Sequence, residues 1–226
     1  MNFFSSSSAQ ADTARPLSQS RGLPYFAYGS NLHVAQMAQR CPDSVFLGKG
    51  TLPGYRWQIN ERGVANVVES PNHCVQGLVF FVNPRDERAL DRSEGVARSL
   101  YLKRSLPIIF EPHPRYANYK SAVLARRLSS RVARPSTPDD PTRPRSLSSA
   151  RARPRGPDDS EQIEALVYIS DRFKTDGPIR DEYIQRMENA AADALELGVS
   201  PAFITDTIRP HLLPPPSPTY PPTSQQ

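Results

Sequence analysis

Tyr25-Phe26-Ala27-Tyr28-Gly29-Ser30-Asn31-Leu32 is the stretch on which the reading of this chain turns. Its first four residues follow Pro24, are mostly aromatic and stop at Gly29, which reads as a strand. Gly29-Ser30-Asn31 is turn chemistry. His33 to Arg40 has helical character and halts at Cys41-Pro42, because the residue before a proline resists the helical region. A strand passing through Gly-Ser-Asn into a helix start aims consecutive backbone N–H groups at one point. Gly29 permits close approach there, and Ser30 and Asn31 add side-chain donors, an arrangement suited to a carboxylate or phosphate. A capped strand-to-helix turn with no ligand satisfies the same residues. Ser30 is also a formal candidate nucleophile, although its surroundings are not Gly-x-Ser-x-Gly and bring no local His–Asp arrangement.

Outward from this motif, strand-like runs cover Ser44 to Leu47, Tyr55 to Ile59, Val64 to Val68 and Val75 to Val82. The last is apolar almost throughout and reads as a central strand buried on both faces. Asn83-Pro84 opens a helix, with Asn83 as N-cap and Pro84 at the first helical position, running to about Ser93 and stopping at Gly95. Leu100 to Phe110, Tyr119 to Leu128 and Ala165 to Ile169 read as further strands. The last two are expected to form a hairpin split by a long loop, which is tolerable because each doubling of loop length adds only ~0.6 kcal/mol. Asp181 to Leu197 carries Ile184, Met187, Ala191, Ala194 and Leu195 on one helical face and ends at Gly198. Ser200-Pro201 opens a short helix ending before Pro210. Strands early, helices late and no βαβ repeat give an α+β class: a small mixed β-barrel or curled sheet with flanking helices.

The 226 residues carry a formal charge of +5, and 24 prolines against 11 glycines. Between Arg126 and Ser160 nine arginines face four aspartates, which accounts for the whole net charge. The remainder is balanced, so nucleic acid is not an expected partner. That segment lacks aromatic residues and is too poor in apolar area to offset its ordering entropy, so it is expected to be disordered. The expected organisation is an N-terminal tail over 1–22, a domain over 23–210 interrupted by the insert at about 126–160, and a proline-rich tail over 211–226. Arg126-Arg127-Leu128-Ser129 has the form of a basic-directed kinase site within an otherwise solvated spacer.

Met1 to Ser20 is serine-rich without the apolar core of a secretory signal, and only weakly resembles a transit peptide. No apolar run is long enough to span a bilayer, so no membrane partner is expected. Cys41 and Cys74 read as free thiols of a reducing, cytoplasmic compartment. His33, His73, His113 and His211 show no metal-ligand spacing, and no metal site is expected.

A second candidate is Leu90-Asp91-Arg92-Ser93-Glu94-Gly95-Val96. In isolation, a glutamate before a helix-stopping glycine reads as a solvated surface residue. The two stretches together resemble the γ-glutamylcyclotransferase family. The same order of segments follows in Gly63-Val64-Ala65-Asn66-Val67-Val68, Val75-Gln76-Gly77-Leu78-Val79-Phe80 and Leu166-Val167-Tyr168-Ile169. The resemblance covers Pro24 to about Leu128 and Ala165 to Pro210.

The resemblance implies a small barrel with peripheral helices and a cofactor-free reaction on a small-molecule γ-glutamyl substrate. The α-amine attacks its own γ-amide carbonyl, giving 5-oxoproline and a free amino acid. Related enzymes on the fold act on γ-glutamylamines or glutathione, and a non-catalytic binder of γ-glutamyl compounds is a further alternative. A homodimer is compatible with the resemblance. It assigns Glu94 as general acid and base, and Tyr25, Phe26, Ala27, Tyr28, Gly29, Ser30 and Tyr183 as substrate contacts. An α-ammonium titrates near ~8 and an ordinary glutamate near ~4.3, so Glu94 is expected in an apolar pocket that raises its pKa.

Overall fold

A computed structural model describes residues 22–132 and 160–212. Most of the tails expected over 1–22 and 211–226 and of the insert expected at about 126–160 lies outside the described residues, but 126–132, expected to be disordered, are helical, because the helix that starts at Ser121 runs on through Val132.

Five strands close into a mixed barrel. The motif strand, β1 (Leu23–Ala27), pairs antiparallel with β3 (Ala65–Val82), matching Leu23 to Val82 and Ala27 to Leu78. β3 pairs antiparallel with β2 (Val45–Ile59), β2 with β4 (Leu102–Pro112), and β4 with β6 (Glu161–Ile169). A parallel contact between Tyr25 of β1 and Leu166 of β6 completes the ring. The two-residue strand β5 (Tyr119–Lys120) adds to the side of β2.

The four early strand runs are two long strands. Ser44–Leu47 and Tyr55–Ile59 merge in β2, and Val64–Val68 and Val75–Val82 merge in β3, with register shifts near Gly48 and Gly54. Such shifts bend a strand so that it can serve two sides of a barrel. The apolar β3 segment is buried through Val75, Leu78, Val79, Phe80 and Val82. Phe26, fully buried, packs where Gly50 and Gly77 leave room. A Cβ on Gly77 would lie 2.8 Å from the Phe26 ring and 2.2 Å from the Ala27 carbonyl oxygen.

Two expectations are corrected. Tyr119 to Leu128 is not a strand: after β5 the chain forms helix α3 (Ser121–Val132). Leu124 and Leu128, four residues apart, are buried, and α3 packs on α1 (Val34–Arg40). That spacing is helical, and burial of one helical face outweighs the β-like composition of Ala-Val-Leu. Ser129 therefore sits on a helix, its hydroxyl donating to the Ala125 carbonyl at 3.0 Å. The hairpin partner of Ala165–Ile169 is accordingly β4, in register from Leu102↔Ile169 to Phe110↔Glu161.

Helix α2 (Pro84–Glu94) starts as its sequence indicates. Asn83 Oδ1 accepts from the N–H groups of Arg85 and Asp86, both at 2.9 Å, and Gly95 closes the helix in the left-handed conformation at φ 67°. Helix α4 (Asp181–Glu196) buries Tyr183, Met187, Ala190, Ala191 and Ala194. Ser200 caps α5 (Pro201–Phe203) by accepting from Phe203 N–H. Among the described residues no helix is long and apolar enough to cross a membrane.

Candidate active site

Where β1 runs out, Gly29 turns the chain into a single 3-10 turn, Ser30–Leu32, packed against α4. Tyr28 is clamped at both ends. Its hydroxyl donates to the Tyr168 carbonyl at 2.5 Å, and its carbonyl accepts from Trp57 Nε1 at 2.9 Å. A cavity of about 240 Å³ opens beside this turn. Its lining includes Tyr25, Tyr28, Gly29, Ser30, Asn31, Glu94, Tyr101 and Tyr183. The Gly29–Ser30 turn and Glu94 thus face one space, although 63 residues separate Asn31 from Glu94.

Glu94 is the last residue of α2, and several contacts fix that helix end. The Tyr168 hydroxyl donates to Asp91 at 2.7 Å, and Lys103 Nζ bridges Glu87 and Asp91 at 3.0 and 3.1 Å. The Glu94 side chain is 17% exposed. Its Oε1 accepts from Asn31 Nδ2 at 3.2 Å and lies 3.6 Å from Arg40 Nη1. Burial pushes its pKa above the ordinary carboxylate range, while Arg40, the Asn31 hydrogen bond and Arg186 pull it back. Among the described residues Glu94 is the only carboxylate of the lining, and no histidine belongs to it.

Counting donors and acceptors separates the roles of the motif residues. Asn31 gives both amide hydrogens away, to Tyr25 Oη at 2.8 Å and to Glu94, and its Oδ1 accepts from Arg40 at 2.7 Å and Gln36 at 3.1 Å. An amide has no capacity beyond two donors and two lone pairs. Asn31 is therefore a positioning residue rather than a free donor, contrary to the sequence reading.

Ser30 Oγ accepts from Gln36 at 2.9 Å and from Arg186 at 2.7 Å, so both of its lone pairs are engaged and only its proton is free to be given. A nucleophile needs a free lone pair, and this geometry argues against Ser30 as one. Tyr183 Oη sits 3.2 Å from Ser30 N–H and accepts from it. Burial raises the Tyr183 pKa, with opposing pulls from Ser30 and Arg186, so the phenol remains a neutral donor. A Cβ on Gly29 would lie 3.1 Å from that hydroxyl, tight enough to disturb it.

Of the residues assigned by resemblance, Tyr25, Tyr28, Gly29, Ser30, Tyr183 and Glu94 come together around the cavity. Phe26 and Ala27 do not line it. Both are fully buried, and the Phe26 ring packs in the room left by Gly50 and Gly77. Sequence reasoning overlooked the arginines. Arg40, Arg62, Arg98, Arg180 and Arg186 all line the cavity, so a chain balanced outside its insert is strongly positive at this point. Arg186 had a legible signal, since it lies one turn after Tyr183 on α4 and covers its ring at 5.0 Å.

A closed five-stranded barrel whose turn and opposing helix end share one cavity is the γ-glutamylcyclotransferase-like fold. Solved structures agree on the architecture. One titled gamma-glutamyl cyclotransferase superposes with a TM-score of 0.56 at 17% identity, covering 83% of this chain and 86% of that one. An uncharacterized protein from Homo sapiens gives 0.53 at 18% identity, covering 82% and 86%. Residues 25–122 match the family model described as gamma-glutamyl cyclotransferase, AIG2-like. Among curated proteins, gamma-glutamylcyclotransferase of Bos taurus is 32% identical over 88 residues, which is 34% of this chain and 47% of that protein. The Homo sapiens protein of the same name is 33% identical over the same coverage. The chain thus spans about half the length of the curated relatives it matches.

Proposed function

We propose that this protein is a γ-glutamylcyclotransferase, a carbon–nitrogen lyase that converts γ-glutamyl amino acids to 5-oxoproline and a free amino acid, with Glu94 as general acid and base. The observation that carries the reading is the convergence of the Tyr28–Ser30 turn and the lone carboxylate Glu94 on one cavity, joined through Asn31. Two curated relatives bearing that activity in their names support it.

In this reading the substrate α-carboxylate lies against the turn and accepts hydrogen bonds from the Ser30 and Tyr183 hydroxyls. Pinning that end folds the γ-glutamyl chain back so that the α-amine meets the γ-carbonyl. Well-oriented intramolecular reactions reach effective molarities of ~10⁵–10⁸ M, so positioning supplies much of the acceleration. Glu94 takes a proton from the α-ammonium on its Oε2, which has no hydrogen-bond partner among the described residues. The amine then attacks the γ-carbonyl carbon, Glu94 passes this proton to the departing nitrogen as the amide C–N bond breaks, and Glu94 then takes the extra proton from the ring nitrogen and hands it to the released amine, leaving a neutral lactam and an ammonium. Burial supports this role, because it raises the Glu94 pKa toward that of the amine it must deprotonate.

The test is incubation of the purified protein with γ-glutamylalanine, with separate assay of 5-oxoproline, glutamate and alanine. Equal amounts of 5-oxoproline and alanine are expected, without glutamate. Release of glutamate would show hydrolysis, and no reaction on a panel of γ-glutamyl compounds, with 5-oxoproline still bound, would identify a binding module.

A further inference from the structure

The cavity holds more positive charge than the proposed reaction requires. Two of its five arginines are occupied inside the protein. Arg40 is tied to Asn31 and Glu94, and Arg186 to Ser30 and Gln36, the latter at 3.0 Å. The other three are not matched in this way. The Arg62 guanidinium lies 5.0 Å over the Phe173 ring, a contact that orients it without neutralising it. Arg180 has only the mostly exposed Glu182 at 3.8 Å. Arg98 has no ion-pair partner among the described residues.

The placement of Arg62 and Arg180 is enforced by the backbone. Arg62 precedes Gly63, whose φ is 74°, and the Arg180 N–H donates to the Gly63 carbonyl at 3.2 Å. The fit is close enough that a Cβ on Gly63 would fall 2.4 Å from Arg180 Cγ. Two arginine-bearing segments are thus locked together on one cavity wall with a single weak counter-ion. Like charges so placed repel unless a ligand supplies the missing anions. The γ-glutamyl half does not supply them, since its α-ammonium and α-carboxylate cancel.

We propose that Arg62, Arg98 and Arg180 form a recognition site for the carboxylates of the leaving amino acid, so that the preferred substrates are γ-glutamyl dipeptides whose leaving residue is itself a dicarboxylate. This rests on the cyclotransferase reading and specifies its substrate. A second carboxylate engages guanidinium donors bidentately, and its charge adds attraction that salt screens.

The test measures 5-oxoproline release from three compounds, γ-glutamylglutamate, γ-glutamylalanine and γ-glutamylethylamide, at low and at 0.5 M salt. At low salt kcat/KM should fall about tenfold at each step along that series, the usual scale for one charge-assisted contact. High salt should compress the differences. In the double variant Arg62→Gln, Arg180→Gln the ratio of γ-glutamylglutamate to γ-glutamylethylamide should drop from about 100-fold to about tenfold, by the same contact scale. A ratio within one sample does not depend on the folded fraction. Release from all three at similar kcat/KM, or a native preference that survives the double variant, overturns the inference and leaves the cyclotransferase reading standing. No 5-oxoproline from any of the three overturns that reading and the inference with it.

Discussion

Replacing Glu94 by glutamine removes the one carboxylate that the described residues bring to the cavity, while keeping its size. The glutamine carbonyl can still accept from Asn31 Nδ2, which lies 3.2 Å from Glu94 Oε1 in the native protein, and the shorter bond of Arg40 to Asn31 Oδ1, 2.7 Å, does not involve Glu94. The lost ion pair is partly solvated, 3.6 Å long, with side chains 25% and 17% exposed. Its removal is offset by relief of a carboxylate that burial disfavours, so stability should change by no more than about 1 kcal/mol, or roughly 2–4 °C in Tm. Catalysis should respond on another scale. Positioned acid–base groups contribute ~10²–10⁴-fold, equivalent to about 2.7–5.4 kcal/mol of transition-state stabilisation. The loss should fall on kcat, with KM nearly unchanged, because the proposed carboxylate contacts lie across the cavity on Ser30 and Tyr183. The assay is 5-oxoproline release from γ-glutamylalanine, with melting followed by circular dichroism. A folded Glu94→Gln protein retaining more than a tenth of native kcat would refute the assignment.

Three further expectations follow from the same geometry. In the proposed reaction the ionised form of Glu94 is the base, and burial holds its pKa above the usual range, so kcat/KM should fall as pH drops through a value above ~4.3, and Arg40→Gln should move that limb to higher pH by removing the strongest opposing pull. A limb at an ordinary glutamate pKa, unmoved by the variant, contradicts this. Tyr183→Phe leaves Ser30 N–H without its acceptor and removes a proposed substrate donor, so KM should rise about tenfold, the scale of one lost hydrogen bond of roughly 1–2 kcal/mol; an unchanged KM would place the α-carboxylate elsewhere. Asn83→Ala deletes the acceptor of two helix-start N–H groups and should lower stability by about 1 kcal/mol without changing the substrate preference, as read by urea unfolding.

Local rules were dependable where local chemistry is sufficient. The start of α2 at Asn83-Pro84, its stop at Gly95, the α4 face and the Ser200 cap all follow from residues within a few positions of one another. The apolar run of β3 was legible for the same reason. Tyr119 to Leu128 was misread because a short apolar run serves either period, and the choice is made by which face finds a neighbour. For α3 that neighbour is α1, remote in sequence. With 121–132 helical, the strand partner of Ala165–Ile169 had to come from elsewhere.

The chain's order of residues was enough to indicate an α+β barrel, the Gly29-Ser30-Asn31 turn and the helix-ending Glu94. Joining the last two into one cavity was left to the tertiary structure, because it depends on barrel closure through β1 and β6 and on where α2 is anchored by Tyr168 and Lys103. The fold also settled that Asn31 holds Glu94 rather than a ligand, since hydrogen-bond capacity is filled by whichever partners come within reach. The same holds for charge. Summed along the chain, the arginines of the domain are balanced by its acids. Gathered in space, five of them surround a single glutamate, and electrostatics follows distance rather than order in sequence.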